Sequence, residues 1–534
     1  MRLSSLRGMW YAAPIALLTI IPLLVVLASF LHPQPEVWAH LAEYVLPDVI
    51  KNTLLLLLGV GVGVLVLGVP LAWLTAVCEF PGRRFFSWAL MLPLAMPAYV
   101  LAFVQVGLLD FTGPMQTLIR ELSGDSSWFP RIRSTGGVIM VLSLAFYPYV
   151  YLLARNAFLT QGKRALEAAQ MLGLSHRQGF WLVALPMARP WLIGGLTLAL
   201  METLADFGTV SIFNFDTFTT AIYKSWFALF NLPAASQLAS LLVLFVFVLV
   251  GLEHWARGAR KYHGRIVAAE RICLHGWHRY LAIALCSGVL LVAFIVPLIQ
   301  LLIWASTIWA EDFDQRYIGF TLRSMLISLF AALIVALLAL LLVFIQRRFT
   351  STGTRWVVRL ATLGYAVPGS VLAVGVFLPI AWLDNLLIPI ANSLGFATFQ
   401  ILKGSVAVML LALAARFMAV AFQPMESAMQ RISRNQEDAA RSLGTSQRQL
   451  LWRLHLPLLR GGVLTAVLMC FVDVMKEMPI TLMTRPFGWD TLAVRVFEMT
   501  SEGMWANAAL PSLMIVLTGL IPVALLVIKS EHRH

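Results

Sequence analysis

The residues of this 534-residue chain that could guide a cation are four carboxylates inside long apolar stretches. Glu202 and Asp206 form one pair, and Asp473 and Glu477 form a second pair 271 residues later. Residues four apart share one face of a helix, so we expect each pair to present both carboxylates to one side. A charge at membrane depth costs at least about 2.5–3.5 kcal/mol, which favours a functional role. Carboxylate oxygens suit a hard cation, so the four acids are candidates for a cation pathway.

Two bases in the same apolar stretches give these acids a structural alternative. Lys476 could pair with Asp473 or Glu477, and Arg416 could pair with another acid. Such pairs would hold helices together without taking part in transport. Four acids against two bases leave two negative charges over, which water or protonation could absorb. Both interpretations stay open, and Lys476 joins the four acids as a candidate pathway residue.

Membrane-spanning helices must position these residues, because the composition is far from that of a soluble protein. Hydrophobic residues make up 60% of the chain and charged residues only 12%, where about a quarter charged is usual. A helix of about 20 apolar residues crosses the hydrocarbon layer. Twelve stretches reach this length, near residues 9–31, 53–78, 85–109, 136–158, 190–213, 236–255, 280–305, 321–345, 356–383, 404–424, 461–484 and 509–528.

The basic residues give these spans an orientation. The formal net charge is +13, and the Lys and Arg residues lie mainly in the short connections that follow even-numbered spans. Basic connections stay on the cytoplasmic side, so we expect both termini there. This topology accounts for the positive charge, and we expect the lipid bilayer rather than a nucleic acid as the partner of the chain.

The sequence contains two tandem copies of one six-helix unit. A shift of 271 residues superposes Pro97 on Pro368 and Gly173 on Gly444. Copies with an even number of spans have the same orientation, and we expect them to pair around an axis along the membrane normal. The predicted domains are residues 1–255 with a core of about 52–255, a basic cytoplasmic linker at 256–279, and residues 280–534 with a core of about 321–528.

A short motif follows the fourth span of each copy. It reads Glu-Ala-Ala-Gln-Met-Leu-Gly from Glu167 and Asp-Ala-Ala-Arg-Ser-Leu-Gly from Asp438, and in both copies a Leu-Pro pair ends 13 residues after the glycine. The helix dipole favours an acid at a helix start, so we expect each acid to begin a short helix. The alanines would give a smooth face for another protein, and the glycine would end the helix.

A second short helix completes the predicted motif. Ser-x-x-Gln capping boxes at Ser175 and Ser446 would begin it, and the Leu-Pro pair would close it before the next span. The product is a helix–turn–helix elbow that projects from the membrane. An amphipathic helix on lipid headgroups is the alternative, which the equal spacing of two copies disfavours. The candidate coupling residues are Glu167, Ala168, Ala169, Gly173, Arg177 and Pro186 in the first elbow and Asp438, Ala439, Ala440, Gly444, Arg448 and Pro457 in the second.

These two motifs resemble the EAA loop of the permease subunits of binding-protein-dependent ABC importers. The resemblance covers both copies, with Asp438 in place of the usual glutamate. It implies an all-α integral membrane protein with the MetI-like fold of type I importers, in a bacterial inner membrane with both termini cytoplasmic. It also implies that each elbow docks into one of two copies of a cytoplasmic ATPase subunit, and that a periplasmic binding protein delivers the substrate.

The chain itself offers no site for ATP chemistry. It contains no G-x-x-x-x-G-K-[ST] phosphate-binding loop, so a separate ATPase is expected to bind ATP and Mg²⁺. No cluster of His, Cys and Asp has catalytic or metal-ligand spacing, and no metal site is assigned. We therefore expect a translocation subunit without a cofactor, and not an enzyme.

The local sequences around the acids resemble the ferric iron branch of this family more than its thiamine, phosphonate or polyamine branches. The resemblance implies that the binding protein holds ferric iron tightly and that the permease is a conduit. Tyr147, Tyr149 and Tyr151 could be ligands, although helix packing is the commoner role of such residues. An ion-coupled secondary transporter is the competing class, which would not need paired elbows. The segments that carry the resemblance are 147–155, 205–209, 217–223, 476–479 and 485–493.

Overall fold

The chain folds almost entirely into helices, as expected where hydrocarbon offers the backbone no hydrogen-bond partner. The computed structural model describes residues 2–31, 35–162, 169–257, 271–312, 315–395 and 400–531. Eleven helical segments in this part are long and apolar enough to cross a membrane, and Ala509–Pro522 adds a shorter apolar helix. These twelve segments correspond one to one to the predicted spans, and the all-α class is confirmed.

The helices and strand of the first copy are α1 (Arg2–Ala28), α2 (Pro35–His40), α3 (Leu46–Val77), β1 (Cys78–Glu79), α4 (Arg83–Ala89), α5 (Ala98–Leu109), α6 (Pro114–Ser123), α7 (Thr135–Ala157), α8 (His176–Gly179), α9 (Leu185–Ala205), α10 (Gly208–Ile212), α11 (Phe218–Phe227) and α12 (Leu232–Arg257). Short 3₁₀ turns lie at Ser29–Leu31 and Leu92–Ala95, and π turns lie at Leu41–Val45, Phe158–Gly162 and Phe180–Ala184.

The second copy contains β2 (Ile272–Cys273), α13 (Trp277–Leu290), α14 (Val296–Asp312), α15 (Gln315–Arg348), α16 (Thr352–Ala361), α17 (Gly369–Ser393), α18 (Val406–Met429), α19 (Arg434–Ser442), α20 (Gln447–Leu450), α21 (Leu456–Lys476), α22 (Pro479–Thr484), α23 (Leu492–Ser501) and α24 (Ala509–Glu531). A 3₁₀ turn lies at Leu363–Ala366, and π turns lie at Leu291–Ile295 and Leu451–His455.

The 271-residue repeat is visible element by element. Helices α9 and α21 have the same length and are offset by 271 residues, as are the π turns that precede them. Three predicted span boundaries are wrong. A 3₁₀ turn separates α4 from α5 inside the third predicted span, while α9 stops at Ala205 and α21 stops at Lys476, eight residues before the predicted ends.

Four of the five π turns in the described residues stand immediately before an X-Pro pair. A proline ring in a regular α-helix clashes with the carbonyl four residues earlier and lacks an N–H to donate. Here the residue before the proline donates its N–H five residues back, for example from Leu456 to the carbonyl of Leu451, and the wider turn lets the helix continue. The four X-Pro pairs are Leu46-Pro47, Leu185-Pro186, Val296-Pro297 and Leu456-Pro457.

The first of two compact units comprises Met1–Ala39, Ile222–Val243 and Phe313–Arg495. Its centre is formed by α15, α18 and α21. Helix α1 packs on α16 and α17, where the Thr19 hydroxyl donates to the carbonyl of Ala361 at 3.1 Å. A segment of α12 joins α1 in this unit, with the Ser240 hydroxyl donating to the carbonyl of Val26.

The second unit comprises His40–Ala221, Leu244–Asp312 and Val496–His534. Helices α3, α7 and α9 form its centre, and α14 packs against α24. The ring of Phe103 stacks on those of Trp304 and Trp505, at 6.2 and 6.5 Å between centroids. A short parallel pairing of β1 with β2 ties the end of the linker to this unit.

Each compact unit therefore takes helices from both sequence copies. Helix α1 belongs to the unit built mainly from the second copy, and α13 and α14 belong to the unit built mainly from the first copy. The predicted domain boundaries follow the repeat in the sequence and stay a prediction, since the compact units do not coincide with the copies.

We predict that Gly375→Val will loosen the packing of α1. A Cβ atom at Gly375 would lie 2.6 Å from the carbonyl oxygen of Pro22, and such overpacking costs about 1–3 kcal/mol. The thermal unfolding midpoint of the purified chain in lipid nanodiscs should fall. Gly319→Val is the matched control, because no heavy atom lies within 4 Å of the Cβ position at Gly319. Equal midpoints for the two variants would contradict this packing.

Candidate functional site

The second elbow begins earlier than predicted. Helix α19 starts at Arg434, where the Ser433 hydroxyl accepts from the N–H of Gln436 at 3.4 Å and the Gln436 side chain accepts from the N–H of Ser433 at 3.0 Å. The expectation that Asp438 begins the helix is therefore wrong. Asp438 lies in the middle of α19, exposed, with an ion pair to Arg441 at 3.1 Å. The acid in the first turn is the buried Glu437.

Both predicted glycine ends are confirmed. Gly173 and Gly444 have φ values of +85° and +79°, a conformation that costs other residues about 1–2 kcal/mol. The N–H of the residue after each glycine bonds to a carbonyl five residues back, from Leu174 to Ala169 at 3.0 Å and from Thr445 to Ala440 at 3.2 Å. This pattern satisfies carbonyls that would otherwise end the helix without a partner.

The second short helix of each elbow has the predicted start but not the predicted end. The hydroxyls of Ser175 and Ser446 both accept from the N–H three residues later at 3.3 Å. The Leu-Pro pairs do not close these helices. Helices α8 and α20 run directly through π turns into α9 and α21, so each elbow is rigidly continuous with the span that follows it.

Several predicted coupling residues can be placed on the elbows. Ala169 is buried and Arg177 is exposed, while Ala439 is exposed and Ala440 is half-buried. Pro186 and Pro457 occupy the first turns of α9 and α21. Glu167 and Ala168 lie outside the described residues, as does the side chain of Arg448.

An apolar residue at the tip of each elbow escaped the sequence reasoning. Leu172 and Leu443 occupy equivalent positions, and their side chains are 84% and 85% exposed. Trp181 and Trp452 form a second equivalent pair of exposed side chains. Large apolar side chains that project together from a polar loop mark a protein interface. Comparing exposed apolar positions between the two copies would have found them.

The carboxylate pairs do not share one helix face. Asp206 and Glu477 each follow the last residue of a helix and have extended backbone, with ψ values of 129° and 118°. The expectation of two acids on one helical face is therefore wrong for both pairs. Glu202 and Asp473 remain within α9 and α21 and are half-buried.

In the second copy, the predicted pairing of Arg416 with an acid is confirmed. Its Nε lies 3.3 Å from a carboxylate oxygen of Glu477, and one of its terminal nitrogens donates to the carbonyl of Val367 at 2.8 Å. The other Glu477 oxygen accepts from the N–H of Ile480 at 3.1 Å. Lys476, Arg416 and Glu477 all act electrostatically on Asp473. Structural bonds therefore account for Glu477.

In the first copy, the acids have a different environment. The side chain of Asp206 accepts from the N–H of Val210 at 3.1 Å and from the Thr209 hydroxyl at 3.0 Å. The positions equivalent to Arg416 and Lys476 are Ala145 and Ala205. The repeat thus keeps both carboxylates in the first copy and replaces both bases with alanine.

The tyrosines of the fourth span serve packing. The hydroxyl of Tyr147 donates to the carbonyl of Leu90 at 2.8 Å, and that of Tyr151 donates to the carbonyl of Ser87 at 3.0 Å. Both side chains are fully buried. Tyr149 is half-buried and contacts the ring of Phe146. Within the described ranges, no group of three or more His, Cys, Asp or Glu side chains could hold a metal.

Comparison with known proteins gives two matches to one family. The family described as binding-protein-dependent transport system inner membrane component matches residues 68–259 and again residues 347–530. The Fe(3+)-transport system permease protein FbpB 2 of Haemophilus influenzae is 30% identical over 489 residues, which is 90% of this chain and 89% of that protein.

Two more distant relatives differ in their named substrates. The ferric transport system permease protein FbpB of Actinobacillus pleuropneumoniae is 23% identical over 456 residues, 80% of this chain and 63% of that protein. The molybdenum transport system permease protein ModB of Escherichia coli is 25% identical over 205 residues, 37% of this chain and 88% of that protein.

We predict that replacing both Gly173 and Gly444 with Val will unravel the ends of the elbow helices without preventing insertion. The substituted residues cannot adopt positive φ cheaply, at about 1–2 kcal/mol each. Co-purification with the ATPase subunit should fall. Gly124→Val is the control, because Gly124 has the same backbone conformation, with a φ of +77°, but ends α6 instead of an elbow helix. Unchanged co-purification for the double variant would contradict the elbow assignment.

Proposed function

The chain belongs to the family of binding-protein-dependent transport system inner membrane components, and we propose that its substrate is ferric iron. It is a multi-pass inner membrane permease, a translocation subunit and not an enzyme. The observation that carries the substrate proposal is the similarity to an Fe(3+)-transport permease along 90% of the chain. The relatives named for molybdenum cover a much smaller part of it.

The charge of the first copy supports a cationic substrate. Glu202 and Asp206 are retained there, whereas the two bases of the second copy are replaced by Ala145 and Ala205. At membrane depth, where charges are weakly screened, two carboxylates attract a cation and repel an anion. Oxygen ligands are also the ones that hard cations prefer. We assign Glu202 and Asp206 to the pathway, and we assign Glu477 to helix packing against Arg416.

The elbows supply the mechanical link in this proposal. Each elbow docks into one of two ATPase subunits on the cytoplasmic side, where both termini also lie, and its exposed leucine enters the partner. The ATPase binds ATP and Mg²⁺, and a periplasmic binding protein delivers the iron. Because each elbow is continuous with α9 or α21, a displacement of the elbow reaches the helix that carries Glu202 or Asp473 without an intervening hinge.

Uptake of radioactive ferric iron by cells tests the substrate proposal. Uptake should require co-expression of the permease, the ATPase and the binding protein, and excess unlabelled molybdate or sulfate should not compete. Iron uptake that persists without the ATPase would indicate an ion-coupled carrier instead. Competition by molybdate would move the substrate to the anion branch of the family.

We predict that Glu202→Gln and Glu477→Gln will have different effects. Glu202→Gln removes a pathway charge and should lower iron uptake at least about tenfold with a normal yield of folded protein, because the base positions of its copy hold alanine. Glu477→Gln leaves the buried Arg416 without its carboxylate, at a cost of about 3–5 kcal/mol, and should lower the folded yield. Folded yield by size-exclusion chromatography and uptake per folded molecule separate the two effects. Normal uptake by the Glu202 variant would remove it from the pathway.

A further inference from the structure

A single buried carboxylate fixes the second elbow to its helical bundle. Glu437 is only 6% exposed. One of its oxygens lies 2.7 Å from Nε of Arg347 and 3.2 Å from Nε2 of His455, and the other lies 3.7 Å from a terminal nitrogen of Arg441. Charged hydrogen bonds of this kind are the strong ones, and burial protects them from solvent screening.

The partners of Glu437 come from three different elements. Arg347 lies at the end of α15, His455 ends the π turn before α21, and Glu437 itself lies in the first turn of α19. Arg347 also donates to the carbonyl of Ile432, just before α19, at 2.8 Å. The neighbouring Gln346 donates to the carboxylate of Glu426 in the last turn of α18 at 3.0 Å. This cluster joins the elbow to both helices that flank it and to the end of α15.

The first copy builds the same place from apolar residues. The positions equivalent to Glu437, Arg347 and His455 are Leu166, Ala76 and Ala184. Ala76 and Ala184 are both fully buried, and Leu166 lies outside the described residues. A partial exchange would bury an unpaired charge, which is strongly unfavourable. All three positions differ together, as expected of residues that act as one unit.

We propose that Glu437 is a positioning residue that holds the second elbow to α15 and α21 through an ionic lock, and that apolar contacts take its place in the first elbow. The inference rests on the proposed role of the elbows in docking the ATPase. Its consequence is that the two elbows, although equal in backbone, depend on different interactions. The second elbow can therefore be released by removing one charge, while the first elbow is left intact.

Hydrogen exchange of the full-length chain in lipid nanodiscs tests the lock without any partner protein. In Glu437→Gln, the amides of residues 434–446 should exchange about 10- to 100-fold faster than in the parent chain. The amides of residues 169–179 in the first elbow should be unchanged, and so should the thermal unfolding midpoint. Arg348→Ala is the control, because Arg348 neighbours Arg347 but is exposed and contacts the ring of Phe349.

A graft of the first copy separates positioning from general damage. Glu437→Leu alone should accelerate exchange in the second elbow, since it leaves Arg347 without its carboxylate. The triple variant Arg347→Ala, Glu437→Leu and His455→Ala recreates the apolar set and should restore most of the protection and of the co-purification with the ATPase. Unchanged exchange in Glu437→Gln, or a triple variant as unprotected as Glu437→Leu, would overturn the proposal. Restored protection without restored ATPase binding would support the lock and count against the elbow as the docking site.

Discussion

The interior of a bilayer offers the backbone no hydrogen-bond partner, so this chain must repair every interruption of its helices by itself. The repairs follow two designs. At four X-Pro pairs the helix widens into a π turn and continues. At the ends of α9 and α21 the chain breaks, and the carboxylates of Asp206 and Glu477 accept N–H groups of the helices that follow. The acids at the breaks therefore serve the backbone before they serve any substrate.

Features that depend on a few neighbouring residues could be predicted from the sequence. The apolar spans, the repeat, the glycine ends of the elbow helices and the Ser-x-x-Gln caps belong to this group, because hydropathy, positive φ and capping act locally. The actual start of α19 also has a local signal, the capping box at Ser433. It was overlooked because attention fell on the acid of the motif, Asp438.

Features that depend on distant contacts could not be predicted. The partner of Arg416 is an acid 61 residues away that the helix break turns toward it, and the partner of Glu437 is an arginine 90 residues earlier. The continuation of the elbow through Leu456-Pro457 depends on a π turn, for which proline statistics give no signal. One comparison would have helped. Aligning the copies shows Glu437, Arg347 and His455 exchanged together for Leu, Ala and Ala.

The exchange of first helices between compact units has a consequence for biosynthesis. Helix α1 is made first, but the residue that receives the Thr19 hydrogen bond is Ala361, which follows 342 residues later. At ~5–20 residues per second, the ribosome needs roughly 20–70 s to cover that distance. During this interval α1 is already in the membrane, with the face that will contact α16 and α17 open to lipid. The second copy must therefore find a helix that has been waiting since the start of translation, and the first unit closes only late in synthesis.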